Sequence, residues 1–162
     1  MPETSKTKLG LAAGLAAALA LALPASAADG RRWVSDGDSE IARLIYGTPE
    51  SDDMLLSLTC EKESKTFWLW FAAQPAPAKA PDKMPITVST EGGNVELTAD
   101  GTRSDMDDSY SLEVKTTMTP DLAKVLSGAK TVSIKVDNRK TDVAFDDVAL
   151  GAVPDLVQGC TK

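Results

Sequence analysis

Apolar residues recur at every second position through much of this chain. In "MLLSLTC", Met54, Leu56, Leu58 and Cys60 share one face, a period of two that predicts a strand with the sulfur turned inward. The polar run "EKESK" predicts a hairpin loop, and Thr66 to Ala72 its returning strand. On that strand Phe67, Leu69 and Phe71 face one way, Trp68 and Trp70 the other, so both faces are apolar. Ile86 and Val88, the turn "EGGN", then Val95 and Leu97 predict another hairpin, followed by a loop, "ADGTRSDMDDS". Tyr110, Leu112 and Val114 predict a half-buried strand, as do Val132, Ile134 and Val136, and "DNRK" turns the latter into "TDVAF".

The period changes twice. In "TPDLAKVLSG" Thr119 stands as N-cap, Pro120 at the first helical position, Asp121 at the positive end and Gly128 as the stop. Leu122, Val125 and Leu126 form the apolar stripe of that helix. Near the end Val153, Leu156, Val157 and Cys160 follow helical spacing, with Pro154 placed to start a short closing helix or turn and Gly159 to stop it. Two stretches are less decided. Residues 28–40 are polar with Trp33 as the docking point, and "IARLIYG" fits a strand or a helical turn. Four prolines between Pro75 and Pro85 favour an extended path without ladder hydrogen bonds, so 73–85 reads as an arm crossing from one sheet to another.

Together these elements predict a mainly β fold: an antiparallel β-sandwich or small barrel of seven or eight strands, with one inserted helix and a short C-terminal helix or turn. No internal repeat is visible.

The first residues read as an export signal. Lys6 and Lys8 precede a run of Leu, Ala and Gly from Leu9 to Leu23, then Pro24 and the small-x-small pattern Ala25-Ser26-Ala27. The run is short for a span of about 20 residues, although a retained N-terminal anchor is the alternative. No Cys follows the run to carry a lipid. Residues 1–27 are therefore expected to be a signal peptide and 28–162 a single β-rich domain, periplasmic or secreted by a bacterium, with no membrane span after cleavage.

The net charge of −7 disfavours a phosphate backbone or an anionic membrane as partner. Two cysteines in an oxidising compartment usually pair, which predicts a Cys60–Cys160 disulfide. A reactive thiol would call for C-x-x-C or a nearby His, and the chain holds neither. The absence of histidine also removes the Ser-His-acid triad and the commonest metal ligand. Ser127 and Lys130 have bare S-x-x-K spacing, but they straddle the helix stop and read as a turn. No cofactor fingerprint is present, and none is expected.

Acidic pairs occur at Asp36/Asp38, Asp52/Asp53, Asp105/Asp107/Asp108 and Asp146/Asp147, and adjacent loop acids are usually solvated rather than catalytic. Residues 96–107 place Glu96, Thr98, Asp100, Gly101 and Asp107 at EF-hand positions 1, 3, 5, 6 and 12. Positions 1 and 12 are off-pattern and the flanks read as strands, so an acidic hairpin loop is favoured over calcium and no metal site is assigned. Trp68 and Trp70 remain as a candidate binding face, a stacking platform for sugars or a partner. A buried place beneath the proline arm is the favoured alternative.

The signal segment, "SLTC" on an early strand, "VALGAV" and the terminal "LVQGC" resemble small exported proteobacterial proteins of the invasion-associated B and type VI secretion-accessory kinds. The resemblance is one of spacing. It implies a periplasmic β-rich accessory protein with a disulfide and transfers no site. The expected function is a non-enzymatic binding or accessory role in the cell envelope, with another envelope protein or a cell-wall component as partner. Inhibition of a cell-wall hydrolase, in the manner of small periplasmic lysozyme inhibitors, is the alternative, and an acid-pair hydrolase a third.

Overall fold

A computed structural model describes residues 30–74, 82–104 and 109–161. The expected signal peptide and residues 75–81 of the proline-rich stretch lie outside the described residues. The described chain forms nine strands: β1 (Arg32–Gly37), β2 (Ile41–Gly47), β3 (Met54–Glu61), β4 (Thr66–Ala72), β5 (Lys83–Thr90), β6 (Gly93–Arg103), β7 (Tyr110–Thr117), β8 (Thr131–Val136) and β9 (Arg139–Ala144). Two helices join them, α1 (Pro120–Leu126) and α2 (Asp147–Thr161).

All nine strands belong to one antiparallel sheet in the order β1-β2-β3-β4-β7-β6-β5-β8-β9, curled into a half-barrel. The mainly β, antiparallel character is as expected, but the strands do not divide into a sandwich of seven or eight. Period-two alternation says that one face of a strand is buried without saying against what. Here the inner face meets helices: α1 packs on β5 and β6, α2 on β1, β2 and β3. One continuous core results, holding Leu44, Leu56, Leu58, Phe67, Leu69, Tyr110, Leu112, Ile86 and Ile134 with Leu122 and Leu126 of α1 and Leu156 of α2.

The polar segment docks through Trp33 as expected, and Arg32–Gly37 in addition pairs with β2 along its length as a strand. Only Trp33 of β1 is buried, so edge position, not burial, gives this strand its polar sequence. "IARLIYG" is the strand β2, paired on both sides.

The proline-rich stretch does not pass to a second sheet, because β4 and β5, at its two ends, lie in the same sheet with β7 and β6 between them. This is a Greek-key arrangement. Pro85 sits inside β5 opposite Thr98. It is tolerated because the β5–β8 ladder begins only at Ile86, so β5 is hydrogen-bonded there on one side. The way back from β7 to β8 is made by α1, whose N-cap Thr119 Oγ1 accepts a 3.2 Å bond from Leu122 N as the sequence predicts.

The C-terminal helix is longer than expected. "VALGAV" is helical, Pro154 is internal, and Gly159 does not end the helix. The start signal is Asp146, whose Oδ1 accepts from Ala149 N at 3.0 Å and whose carbonyl accepts from Leu150 N at 2.9 Å. Pro154 is exposed, so its ring meets solvent rather than sheet. Gly159 is there for proximity. A methyl group on it would come within 3.0 Å of Lys62 Cγ and 3.4 Å of Cys60 Sγ. The helix thereby comes close enough to β3 for the expected Cys60–Cys160 disulfide, with Cα atoms 5.7 Å apart and both residues buried.

Candidate outer-face site on strands β3, β4 and β7

Because Phe67, Leu69 and Phe71 turn into the half-barrel, Trp68 and Trp70 stand on its outer face. Both are half-buried and neither belongs to the core. Register fixes their neighbours. Trp68 lies between Thr59 of β3 and Lys115 of β7, and Trp70 between Ser57 of β3 and Glu113 of β7. Further out, Thr59 is beside Arg43 and Ser57 beside Ile45, and these reach Asp36 and Val34 on β1.

The site thus has an apolar centre with polar flanks. Lys115 Nζ lies 4.3 Å from the centre of the Trp68 ring, a cation–π contact. Trp68 Nε1 is buried without a hydrogen-bond partner. Ser57, 7% exposed, lies 3.4 Å from Thr59 between the hydroxyl oxygens. Glu113 is exposed and enters no ion pair among the described residues. Arg43, by contrast, faces Asp36 at 3.7 Å, which closes the β1 side of the face with a matched pair. Lys115 and Glu113 carry no sequence signal of a site, because their place beside the tryptophans depends on β4 pairing with β7, a strand distant in sequence (Thr66 with Thr117 at one end, Ala72 with Ser111 at the other).

The acidic pairs do other work. Asp38 Oδ1 accepts from Glu40 N at 2.7 Å and Ile41 N at 2.9 Å, and these backbone bonds hold its pKa below the usual carboxylate value. Asp53 takes hydrogen bonds from Arg31 at 2.8 Å and Thr48 at 2.9 Å, and its pKa is lowered by them in that order. Asp146 caps α2, with Asp147 in its first turn. Asp105, Asp107 and Asp108 lie outside the described residues.

The expected acidic loop is in good part a strand. Glu96, Thr98 and Asp100 belong to β6, paired with Thr87, Pro85 and Lys83, and Asp100 bonds Lys83 Nζ at 2.5 Å. A strand strings alternate residues out along its length and cannot wrap them about an ion. Among the described residues no cluster of three or more His, Cys, Asp or Glu side chains could hold a metal. Ser127 and Lys130 fall at the end of α1, where Ser127 is the C-cap and Gly128 has φ +72°.

Further concavities lie elsewhere among the described residues. A polar dish of about 340 Å³ lies over Ser133, Asp142, Lys140 and Glu91. Ser133 Oγ donates to Asp142 there, and that bond first, then Lys140, lowers the Asp142 pKa. An open acidic dish of about 470 Å³ is lined by Glu40, Glu61, Glu63, Ile41 and Ser64. An apolar groove of about 290 Å³ runs between the end of α1 and α2, lined by Leu126, Ala129, Leu150, Val153 and Val157.

No known protein family, curated protein or solved structure matches this chain. Among the described residues no helix is long and apolar enough to cross a membrane. Nothing in them points to nucleic-acid binding.

Proposed function

We propose that the protein is a non-enzymatic binding or accessory protein of the bacterial cell envelope, periplasmic or secreted, which takes its partner on the outer face of β3, β4 and β7. The observation that carries this reading is the placement of Trp68 and Trp70. Two indoles outside the core, at the centre of a polar surround, supply large contact area at low entropic cost, as the centres of binding surfaces do. The spacing resemblance to exported accessory proteins and the signal-like first 27 residues support the compartment. The disulfide suits an oxidising one. The chemistry of the chain supports a role without catalysis, since it has no histidine and at least one acid of each described acidic pair is engaged in a cap or ion pair.

The test is binding of the oxidised protein to purified sacculi and to solubilised envelope proteins, compared with Trp70→Ser. Capture that is lost in the variant supports the reading. Capture unchanged in the variant, or turnover of a wall polymer, overturns it.

The acidic dish of Glu40, Glu61 and Glu63 favours a second reading, inhibition of a cell-wall hydrolase, because an acidic concavity complements a basic enzyme. Lysozyme activity unaffected by excess protein removes that reading.

A further inference from the structure

On the outer face, residues stand in two rows that cross the strands. One row runs Thr59, Trp68, Lys115, and the next, two residues along each strand, runs Ser57, Trp70, Glu113. The rows match position by position in kind: hydroxyl beside hydroxyl, indole beside indole, and ammonium beside carboxylate. A twofold axis lying between the rows, parallel to the sheet and perpendicular to its strands, would set each row on the other row of a second molecule. Trp68 would then meet Trp70 and Lys115 would meet Glu113, twice over, with Thr59 set above the buried Ser57.

We propose that this face pairs with the same face of a second copy of the chain, forming a symmetric dimer about the two tryptophans. Self-complementarity of this sort is what a twofold interface requires. The charges single out this occupant. Among the described residues Glu113 is exposed and in no ion pair, and Lys115 is in no ion pair and lies over the Trp68 ring. A symmetric partner supplies each with its opposite. An aromatic centre ringed by polar groups is also the common anatomy of an interface. Two convex faces touch over a narrow strip, so the contact is smaller than a standard interface of about 1,600 Å² and the dimer is a weak one.

The inference rests on reading this face as the binding surface and names its partner. Sedimentation equilibrium of the purified oxidised protein, produced from the full chain, tests it. The wild type is expected to dimerise reversibly at concentrations up to about 100 μM. Lys115→Glu or Glu113→Lys places like charges opposite at both pairs and should weaken association by about tenfold or more. Mixing these two variants restores every pair, as does the double exchange within one chain, so both should recover dimers. Far-UV circular dichroism checks that the variants fold. A monomeric wild type, or single exchanges without effect, overturns the dimer. A monomeric wild type that still binds envelope material through Trp70 overturns the dimer alone. A dimer that answers to the charge exchanges while binding nothing else keeps the dimer and overturns the envelope-binding role.

Discussion

The Trp33 indole Nε1 donates a 2.7 Å hydrogen bond to the carbonyl of Ala144, so the first strand of the half-barrel is tied to the last. The same ring meets Phe145 edge-on at 5.1 Å and Tyr46 at 5.3 Å between centres. β1 and β9 are the two edges of the sheet and share no ladder, so this contact closes the curl with a side chain in place of strand pairing. Trp33→Phe keeps an aromatic ring and removes the donor. It should cost about 1–2 kcal/mol, because a part-buried carbonyl loses its partner. Urea denaturation should show a lower midpoint with an unchanged slope, and an unchanged midpoint would mean that the bond contributes nothing.

The two glycines of α2 should respond differently to alanine. Around Gly151 a methyl group meets nothing within 4 Å, so Gly151→Ala should stabilise by about 0.5–1 kcal/mol through helix propensity. At Gly159 the methyl crowds Lys62 and the Cys60 sulfur, so the same change should stabilise less or destabilise. Thermal melts of the two variants check the order. A larger gain at Gly159 would contradict the close approach.

Reduction of the disulfide should cost about 2–5 kcal/mol, since the bridge closes a loop of 100 positions between β3 and the C-terminal helix. Both cysteines are buried, so reduction under native conditions should wait on local opening and be slow. Denaturation of Cys60→Ala/Cys160→Ala, and thiol release followed over time, check the two statements separately.

Acid should weaken the fold through carboxylates that are hydrogen-bonded only in the folded state. Glu91 accepts from Lys130 N at 2.9 Å and Thr131 N at 3.3 Å, and its pKa is lowered chiefly by the Lys130 bond. The Asp38, Asp53 and Asp142 carboxyls are lowered as well. A depressed folded pKa contributes stability that is complete above the unfolded value, about 4 for such groups, and is lost as pH falls toward the folded one. The denaturation midpoint should therefore hold from pH 7 to about 5 and fall below about 4. Glu91→Gln should flatten that fall, and an equally steep fall in the variant would remove Glu91 from the account.

Much of this architecture is written locally. The strands β3, β4, β7 and β8 follow from alternation, α1 from its Thr-Pro-Asp start and Gly stop, and the disulfide from two cysteines on inward positions. These features need only a residue and its near neighbours. The sequence by itself therefore determined the β character, the inner and outer sides of β4, and the partner of Cys60.

What tertiary structure decided was who meets whom. Alternation is the same whether an inner face packs on a second sheet or on helices, so the half-barrel follows only from the presence of α1 and α2 inside it. Residues 148–153 have apolar positions that suit a strand, and α2 takes them because Asp146 caps it and the sheet leaves an inner face to cover. Lys115 and Glu113 became neighbours of Trp68 and Trp70 through a pairing between strands distant in sequence. Such register is set by the summed burial of whole strands, and no local residue pattern carries it.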